Sequence, residues 1–263
     1  MKKNMTYLTI SFAIGLMILS SGCNKKPVQP EPSEPNAVVQ EQAPAAEKPA
    51  EPNLPPVAAP APAPASEAKL VPIPLVLPKP MFVGTPQNLE GVGNLEKPLG
   101  HERPPFLAPE GVQNVALNKP VTSSESAPFM GELKMIVDDD KSATDASVVE
   151  LGPLAQWVAI DLQQEYDIYA IVLWHFHKSP GVYFDVVVQV AKDDQFIDAV
   201  TVFNNDIDNT LGLGAGSDKN YVETSEGKLI DCKAVRGRYV RFWSRGNSQN
   251  DYNHYIEAAV YGK

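Results

Sequence analysis

Cysteine is scarce in this sequence. Cys23 and Cys232 are the only two among 263 residues, which excludes a fold held together by several disulfides. If Cys23 is modified, as the N-terminal pattern indicates below, Cys232 has no partner. A lone cysteine in a folded domain is most often a small buried apolar side chain. Any folded domain must therefore take its stability from an apolar core.

Basic side chains are also in the minority. The chain has 22 Lys and Arg against 32 Asp and Glu, which gives a formal net charge of -10. Nucleic acids and anionic lipid headgroups are bound through an excess of Lys and Arg. The composition therefore argues against both as partners.

Proline is nearly absent from the last part of the chain, since 21 of the 25 prolines precede residue 110. Prolines at high density exclude helix interiors and central strands. A regular core is therefore confined to residues 111–263, a length at which one domain buries roughly two-thirds of its unfolded surface.

The N-terminus predicts export and anchoring. Residues 1–3 are positively charged, and residues 7–19 form an apolar stretch that is too short to span a membrane comfortably. The following Ser-Ser-Gly-Cys23 resembles the lipobox of bacterial lipoproteins. The resemblance implies that residues 1–22 are a signal peptide and that Cys23 is lipidated, with Asn24 favouring the outer membrane of the cell envelope. Cleavage to a soluble product is the alternative.

Two proline-rich regions follow. Residues 23–69 are mainly Pro, Ala, Glu and Gln without apolar periodicity, which predicts a disordered linker extended by polyproline II conformation. A docking site for a polyproline-binding partner is the alternative for this linker. In residues 70–110 apolar residues return between the prolines, and we expect an extended segment that packs along the surface of the following domain.

Residues 111–263 show the alternation of short strands, without a 3.6-residue apolar repeat. Tyr, Trp and β-branched residues are frequent, and Asn, Asp and Gly separate the runs. This pattern predicts an all-β sandwich of closely spaced strands. The predicted strands are residues 156–162, 167–174, 183–191, 199–203, 239–243 and 255–261.

Five motifs in this region resemble discoidin domains, the coagulation factor V/VIII C-type modules, which share a galactose-binding-like jelly-roll fold with family 32 carbohydrate-binding modules. The motifs occur in the order typical of the family, at residues 114–124, 136–140, 156–162, 238–241 and 256–262. The resemblance covers residues 111–263. It implies a discoidin-type jelly-roll β-sandwich preceded by the disordered linker.

The same resemblance implies a structural calcium ion. Asp138 would supply a carboxylate, Asp140 and its neighbours backbone carbonyls, and Glu257 a carboxylate from the last strand. Oxygen ligands on a tight loop suit a hard cation such as calcium. The family's usual glycine after the first aspartate is Asp139 here. A solvated acidic loop without metal is the alternative.

Loops at one rim of this fold would bind the ligand. Amide and charged side chains offer paired donors and acceptors to sugar hydroxyls, and aromatic faces pack against a sugar ring. Asn and Asp are also ordinary turn formers, so each has a purely structural alternative. The candidate ligand-binding residues are Trp174, His175, His177, Asn204, Asn205, Arg245, Asn247, Asn250 and His254.

No set of catalytic residues with a supporting context is present, so we expect no enzyme activity. The sequence favours a membrane-anchored, non-catalytic lipoprotein that binds carbohydrate through the loop rim of a calcium-stabilised discoidin domain. A structural or protein-interaction module that docks on another cell-envelope protein is the rival hypothesis, since fold alone does not separate the two.

Overall fold

The computed structural model describes residues 69–82, 84, 89 and 91–263. These residues belong to one compact unit, Ala63–Lys263. The predicted signal peptide, the lipidation site Cys23 and the linker up to residue 68 lie outside the described residues. Within the described part, no helix is long and apolar enough to cross a membrane.

Strands account for nearly all regular structure. The one helical element among the described residues is a 3-10 turn, Leu133–Val137. The strands are β1 Leu70–Pro72, β2 Leu107–Pro109, β3 Gln113–Asn114, β4 Val121–Ser123, β5 Val149–Leu151, β6 Gln156–His175, β7 Val187–Ala191, β8 Val200–Asn204, β9 Lys228–Ser244 and β10 Asn253–Gly262.

The strands form a two-stranded sheet, β1 with β2, and a larger sheet in the order β3-β10-β6-β9-β7-β8. In the larger sheet β4 also pairs with β6, and β5 with β10. Each of these strand pairs is antiparallel. The all-β fold class predicted from the sequence is confirmed.

The long strands β6 and β9 take part in both layers of the sandwich. The first half of β6 pairs with β4 and the second half of β9, whereas its second half pairs with β10 and the first half of β9. Register shifts between Asp161 and Tyr166 and between Ile168 and Ala170 interrupt the ladder. Irregularities of this kind bend strands, so one hydrogen-bonded sheet folds over into two layers.

The main core lies between these layers. Ile160 and Phe242 from the first layer and Ile171 and Val260 from the second are fully buried in one apolar cluster. Burying one such side chain contributes about 1.5–3 kcal/mol. Cys232 belongs to the same cluster, and burial raises the pKa of its thiol to about 12. The prediction that Cys232 is a buried apolar residue is confirmed.

The register shifts in β6 also change which residues face the core. Before them, even-numbered residues such as Ile160 point into the main cluster, and after them odd-numbered residues such as Ile171 do. A displaced register moves side chains to the other face of a sheet. Trp174, at the end of β6, therefore belongs to a second apolar cluster on the outer face.

The proline-rich segment before the domain covers that outer face. Ile73 and Ala108 are buried in the second cluster with Trp174. The Ile73 amide donates to the Phe106 carbonyl at 3.0 Å, which extends the β1–β2 pairing. The chain thereby shields an apolar face of its own sandwich from water.

Candidate ligand-binding site

Trp174 does not lie on the binding surface, which corrects the expectation from the sequence. Its side chain is fully buried, and its indole Nε1 donates to the Ser225 carbonyl at 3.0 Å. Gly227 packs on the ring so closely that a Cβ there would come within 2.6 Å of it. The burial of Trp174 depends on the register shifts in β6 and on the segment around Ile73, which the local sequence pattern does not show.

His175 and His177 are fully buried as well, which again corrects the sequence-based expectation. His175 Nδ1 lies 2.6 Å from Glu223 Oε1, and its ring stacks on Tyr183 with centroids 4.2 Å apart. His177 Nε2 lies 3.0 Å from the Lys141 carbonyl, and burial lowers the pKa of this imidazole. Both histidines hold the interior of the rim together and are closed to a ligand from solvent.

Asn204, Asn205 and Arg245 each contact neighbouring segments of the chain. Asn204 Nδ2 donates to the Gly214 carbonyl at 2.9 Å, and Asn205 Oδ1 accepts from the Val186 amide at 2.6 Å. Arg245 Nη1 lies 3.8 Å from Asp185 Oδ2. The two asparagines thus support loop geometry, which is the structural alternative stated for them.

Beside them, Asp185, Asp206 and Asp208 place carboxylate oxygens within 4.8 Å of one another. Burial and the two neighbouring carboxylates raise the pKa of Asp185 to about 6. Oxygen donors at this spacing could hold a metal ion, and their hardness suits calcium or magnesium. Both oxygens of Asp206 already accept backbone amides, of Thr210 and Leu211, each at 2.9 Å. This aspartate cluster was not found from the sequence.

The remaining three candidates come together in a rim pocket of about 190 Å³. This volume is below the roughly 300–1,000 Å³ of pockets for drug-sized ligands, so it fits a small ligand. Asn247, Asn250 and His254 line the pocket together with Glu150, Phe176 and Tyr183.

A hydrogen-bonded chain fixes one wall of the rim pocket. The Tyr183 hydroxyl lies 2.9 Å from His254 Nδ1, and His254 Nε2 lies 3.0 Å from Glu150 Oε2. Burial lowers the pKa of His254 despite the carboxylate beside it. The neutral imidazole can donate from Nε2 to Glu150 and accept at Nδ1 from Tyr183. Both ring nitrogens are thereby occupied, and His254 positions its neighbours.

Asn247 fixes the loop that forms the opposite wall. Its Nδ2 donates to Asn250 Oδ1 and to the Tyr252 carbonyl, both at 2.8 Å. Its Oδ1 accepts the amides of Gln249 at 2.8 Å and Asn250 at 3.1 Å. With donors and acceptor engaged inside the loop, Asn247 supports the site without a group to spare for a ligand.

Asn250 and Glu150 keep free polar atoms at the pocket. Asn250 Oδ1 accepts from Asn247 Nδ2 and the Tyr252 amide, and its Nδ2 has no hydrogen-bond partner among the described residues. Glu150 Oε2 is bound to His254, whereas its Oε1 has none in the same part of the chain. Two residues that line the pocket thus keep an unpaired polar atom, an amide donor on Asn250 and a carboxylate acceptor on Glu150.

An exposed aromatic pair adjoins the pocket. The side chains of Phe129 and Tyr252 are 68% and 39% exposed, and their rings meet edge to face at 6.2 Å. Tyr252 lies 6.5 Å from the His254 ring, and Phe176 approaches that ring from another side at 6.1 Å. Exposed aromatic rings beside polar groups can pack against the C–H face of a ring-shaped ligand.

Sequence reasoning missed Glu150, Phe129, Tyr183 and Tyr252. Glu150 is brought to the pocket by the β5–β10 pairing, where it stands directly opposite His254. That partnership is long-range and has no local signal. Tyr252 had one, because it is an aromatic residue in the same Asn-rich loop as Asn250.

The side chains of the predicted calcium ligands are engaged within the chain. Asp138 Oδ1 and Asp140 Oδ1 each accept a backbone amide two residues ahead, at 2.9 Å. Glu257 is fully buried, with one oxygen bound to the Asp139 amide at 3.2 Å and the other unpartnered. The ammonium of Lys141, itself buried, lies beside this group and donates to the Asp139 carbonyl at 3.3 Å. The positive charge beside Glu257 is thus supplied by the chain itself, and these three residues are not arranged as a calcium site.

Comparison with known proteins identifies structural neighbours. No protein-family model matches the chain, and no curated protein matches it. The family 32 carbohydrate-binding module of AlyQ, in complex with 4,5-unsaturated mannuronic acid, is similar at 16% identity and a TM-score of 0.40, covering 54% of this chain and 92% of that one.

Two further structures complete this comparison. A fucose-binding module from Streptococcus pneumoniae is 20% identical with a TM-score of 0.39, over 56% of this chain and 96% of that one. A family 89 glycoside hydrolase from Clostridium perfringens is 19% identical with a TM-score of 0.42, over 57% of this chain and 14% of the enzyme. The similar structures thus include the family that the sequence resembles. What they bind is a property of those proteins.

Proposed function

We propose that this chain is a non-catalytic binding protein that takes a small neutral saccharide into the rim pocket. One observation carries the proposal: Asn250 and Glu150, which keep a free Nδ2 and a free Oε1 among the described residues, line the same small pocket. A sugar hydroxyl both donates and accepts. A donor and an acceptor fixed at one site therefore suit a pair of hydroxyls.

The apolar side of the site supports the same class of ligand. Phe176 lines the pocket, and the exposed rings of Phe129 and Tyr252 adjoin it. A pyranose has hydroxyls at its edge and C–H groups on its face, so it can use polar and aromatic surfaces together. A purely apolar ligand would leave Asn250 and Glu150 unsatisfied, and hydrogen-bonding groups left unpaired on binding are unfavourable.

The charge of the pocket favours a neutral saccharide over a uronic acid. Glu150 and Asp145 both line it, and Asp145 is paired with Lys178 at 3.0 Å. The lowered pKa of His254 keeps its imidazole neutral near pH 7. Glu150 is therefore left as an uncompensated negative charge, which repels a carboxylate.

The cellular location is proposed from the sequence. A lipid at Cys23, export through residues 1–22 and a location in the bacterial outer membrane are parts of the proposal that rest on the N-terminal motif alone. A proline-rich linker would hold the binding domain away from the membrane surface. Calcium at Asp138, Asp140 and Glu257 is not part of the proposal, because Lys141 stands beside those groups.

Isothermal titration of the full chain against neutral mono- and oligosaccharides tests the proposal. We expect saturable binding with a Kd in the micromolar to millimolar range and a loss of about fivefold or more in Asn250→Ala, because a ligand hydrogen bond is removed. Gln195→Ala is the matched control, since Gln195 is an exposed amide outside the pocket.

Two results would count against the proposal. If no saccharide gives heat while the chain is folded, the envelope-protein interaction becomes the better hypothesis. If Asn250→Ala binds as well as Gln195→Ala, a saccharide binds elsewhere on the molecule.

A further inference from the structure

Lys141 is a buried lysine in an otherwise exposed acidic loop. Its side chain is 5% exposed, whereas Asp138, Asp139 and Asp140 around it are exposed. Lysine is almost never fully buried unless its charge is paired. The buried ammonium of Lys141 therefore requires a negative charge close to it.

Asp139 connects Lys141 to the last strand. The Lys141 ammonium is hydrogen-bonded to the carboxylate of Asp139 and donates to its carbonyl at 3.3 Å. The Asp139 amide in turn donates to Glu257 Oε2 at 3.2 Å. Asp139 adopts a φ of 72°, in the left-handed region that a non-glycine residue rarely visits. The contacts on both sides hold it there.

Glu257 is the group that needs a cation. It lies on β10, is fully buried, and has one oxygen without a partner. Burial raises the pKa of Glu257 to about 8; Lys141 acts to lower it, and the charges of Asp138 and Asp139 act to raise it. Glu257 is therefore ionised only above about pH 8, and its buried carboxylate is then strongly destabilising without a compensating charge.

Two further contacts fix the position of Lys141. Its ammonium lies 5.6 Å from the centre of the Trp174 ring, within the range of a cation–π interaction. Its carbonyl lies 3.0 Å from His177 Nε2. The side chain and the backbone of Lys141 are thus fixed by separate partners. A lysine that merely lay over the loop surface would lack these contacts.

We propose that the Lys141 ammonium is an internal cation that replaces a bound metal ion in the Asp138 loop. It offsets part of the negative charge of the loop and of Glu257, and through Asp139 it ties the loop to β10. The fold is then stable without a divalent metal. This role is independent of whether the rim pocket binds a saccharide.

Thermal unfolding of the full chain at a pH above 8, where Glu257 is ionised, tests this role in three variants. Lys141→Met removes the charge and keeps most of the length, and we expect the melting temperature to fall by about 5–10 °C. Lys134→Met is the matched control, because Lys134 is exposed on the same part of the chain and pairs with Glu132 at 2.7 Å. It should change the melting temperature by about 1 °C or less.

The double variant Lys141→Met/Glu257→Gln separates charge from packing. If Lys141 neutralises Glu257, removing the carboxylate as well should restore at least half of the lost melting temperature. If the lysine only fills space, the double variant should be no more stable than Lys141→Met.

The effect of added or removed metal ions is the last part of the test. Chelation with EDTA, or calcium at millimolar concentration, should leave the melting temperature of the unsubstituted chain unchanged within about 1 °C. Calcium held at a hundredfold its Kd would raise it by about 5–10 °C. Such a rise, an effect of Lys141→Met no larger than that of Lys134→Met, or a failure of rescue in the double variant would each overturn the proposal.

Discussion

Glu150, which pairs with the last strand, and Glu257, which lies on it, are two carboxyl residues in contrasting surroundings. Glu150 stands across from His254 on β10, and Glu257 follows His254 by three positions on the same strand. Each has one oxygen in a hydrogen bond, to His254 Nε2 at 3.0 Å and from the Asp139 amide at 3.2 Å. In each case the second oxygen has no partner among the described residues.

The difference is what can reach the second oxygen. Glu150 lines an open pocket with aromatic and amide neighbours, whereas Glu257 is sealed in the interior near the ammonium of Lys141. The second oxygen of Glu150 is therefore available to a ligand in the rim pocket. In our proposal the charge of Glu257 is instead balanced from within by Lys141. Accessibility separates a binding group from a structural one.

The largest effect that bears on this contrast is expected at Trp174, which lies beneath Lys141. Trp174→Ala should reduce the free energy of unfolding by about 3–5 kcal/mol, because it empties a fully buried site. The fraction that remains folded should still bind saccharide. Urea unfolding followed by titration at low temperature checks both quantities.

Phe176→Ala is the comparison variant, two positions along the chain and at the pocket. It should weaken binding and lower stability less than Trp174→Ala does, because Phe176 is only partly buried. The opposite ranking, with Trp174→Ala stable and unable to bind, would return Trp174 to the ligand surface.

A smaller effect is expected from Glu150→Gln, which sharpens the contrast at the pocket. The substitution keeps the shape and removes the charge, so affinity for a neutral saccharide should fall by about tenfold, the value of a hydrogen bond to a charged group. Affinity for a uronic acid should rise, because the repulsion is gone. Titration with a matched pair of neutral and acidic sugars measures both.

The melting temperature of Glu150→Gln should stay within about 3 °C of the original, since Glu150 is partly exposed. A large loss of stability with unchanged selectivity would mean that Glu150 is structural, as Glu257 is.

The smallest effect concerns pH and the buried His177. Burial lowers its pKa below the ordinary value of 6.5, so the folded chain resists a proton that the unfolded chain accepts. This contribution to stability is fully present above pH 6.5 and is lost as the pH falls toward the lowered value. The slope contributed by one histidine is at most about 1.4 kcal/mol per pH unit.

Urea unfolding between pH 7.5 and 5.5 measures this slope. The difference between the original chain and His177→Gln isolates His177, because His254 titrates in the same direction in both. Equal slopes in the two proteins would show that His177 has no lowered pKa.

Much of the fold could be predicted from the sequence. Alternation located the strands around Ile160, Val188 and Phe242, and composition identified the all-β class. The first half of β9 was missed, although buried Ile230 and Cys232 alternate with exposed Asp231 and Lys233. Residues 156–162 and 167–174 are parts of one strand, since the register shifts in β6 interrupt its pattern without ending it.

The site was less predictable, because pairing across the sheet decides which loop residues meet. Asn250 and His254 share a chain segment and were found together. Glu150 is more than a hundred positions before His254 and reaches it only through the β5–β10 pairing. Trp174, by contrast, was assigned to the rim because its burial depends on a register shift and on the segment around Ile73, which local pattern does not reveal.

Chemical-shift mapping of the full chain with a neutral saccharide tests the central claim most directly. If the rim pocket is the binding site, the largest shifts of backbone amides occur at Glu150, Phe176, Asn250 and His254, and residues 138–141 change little. Shifts concentrated at residues 204–218, or none at a saturating concentration, would contradict it.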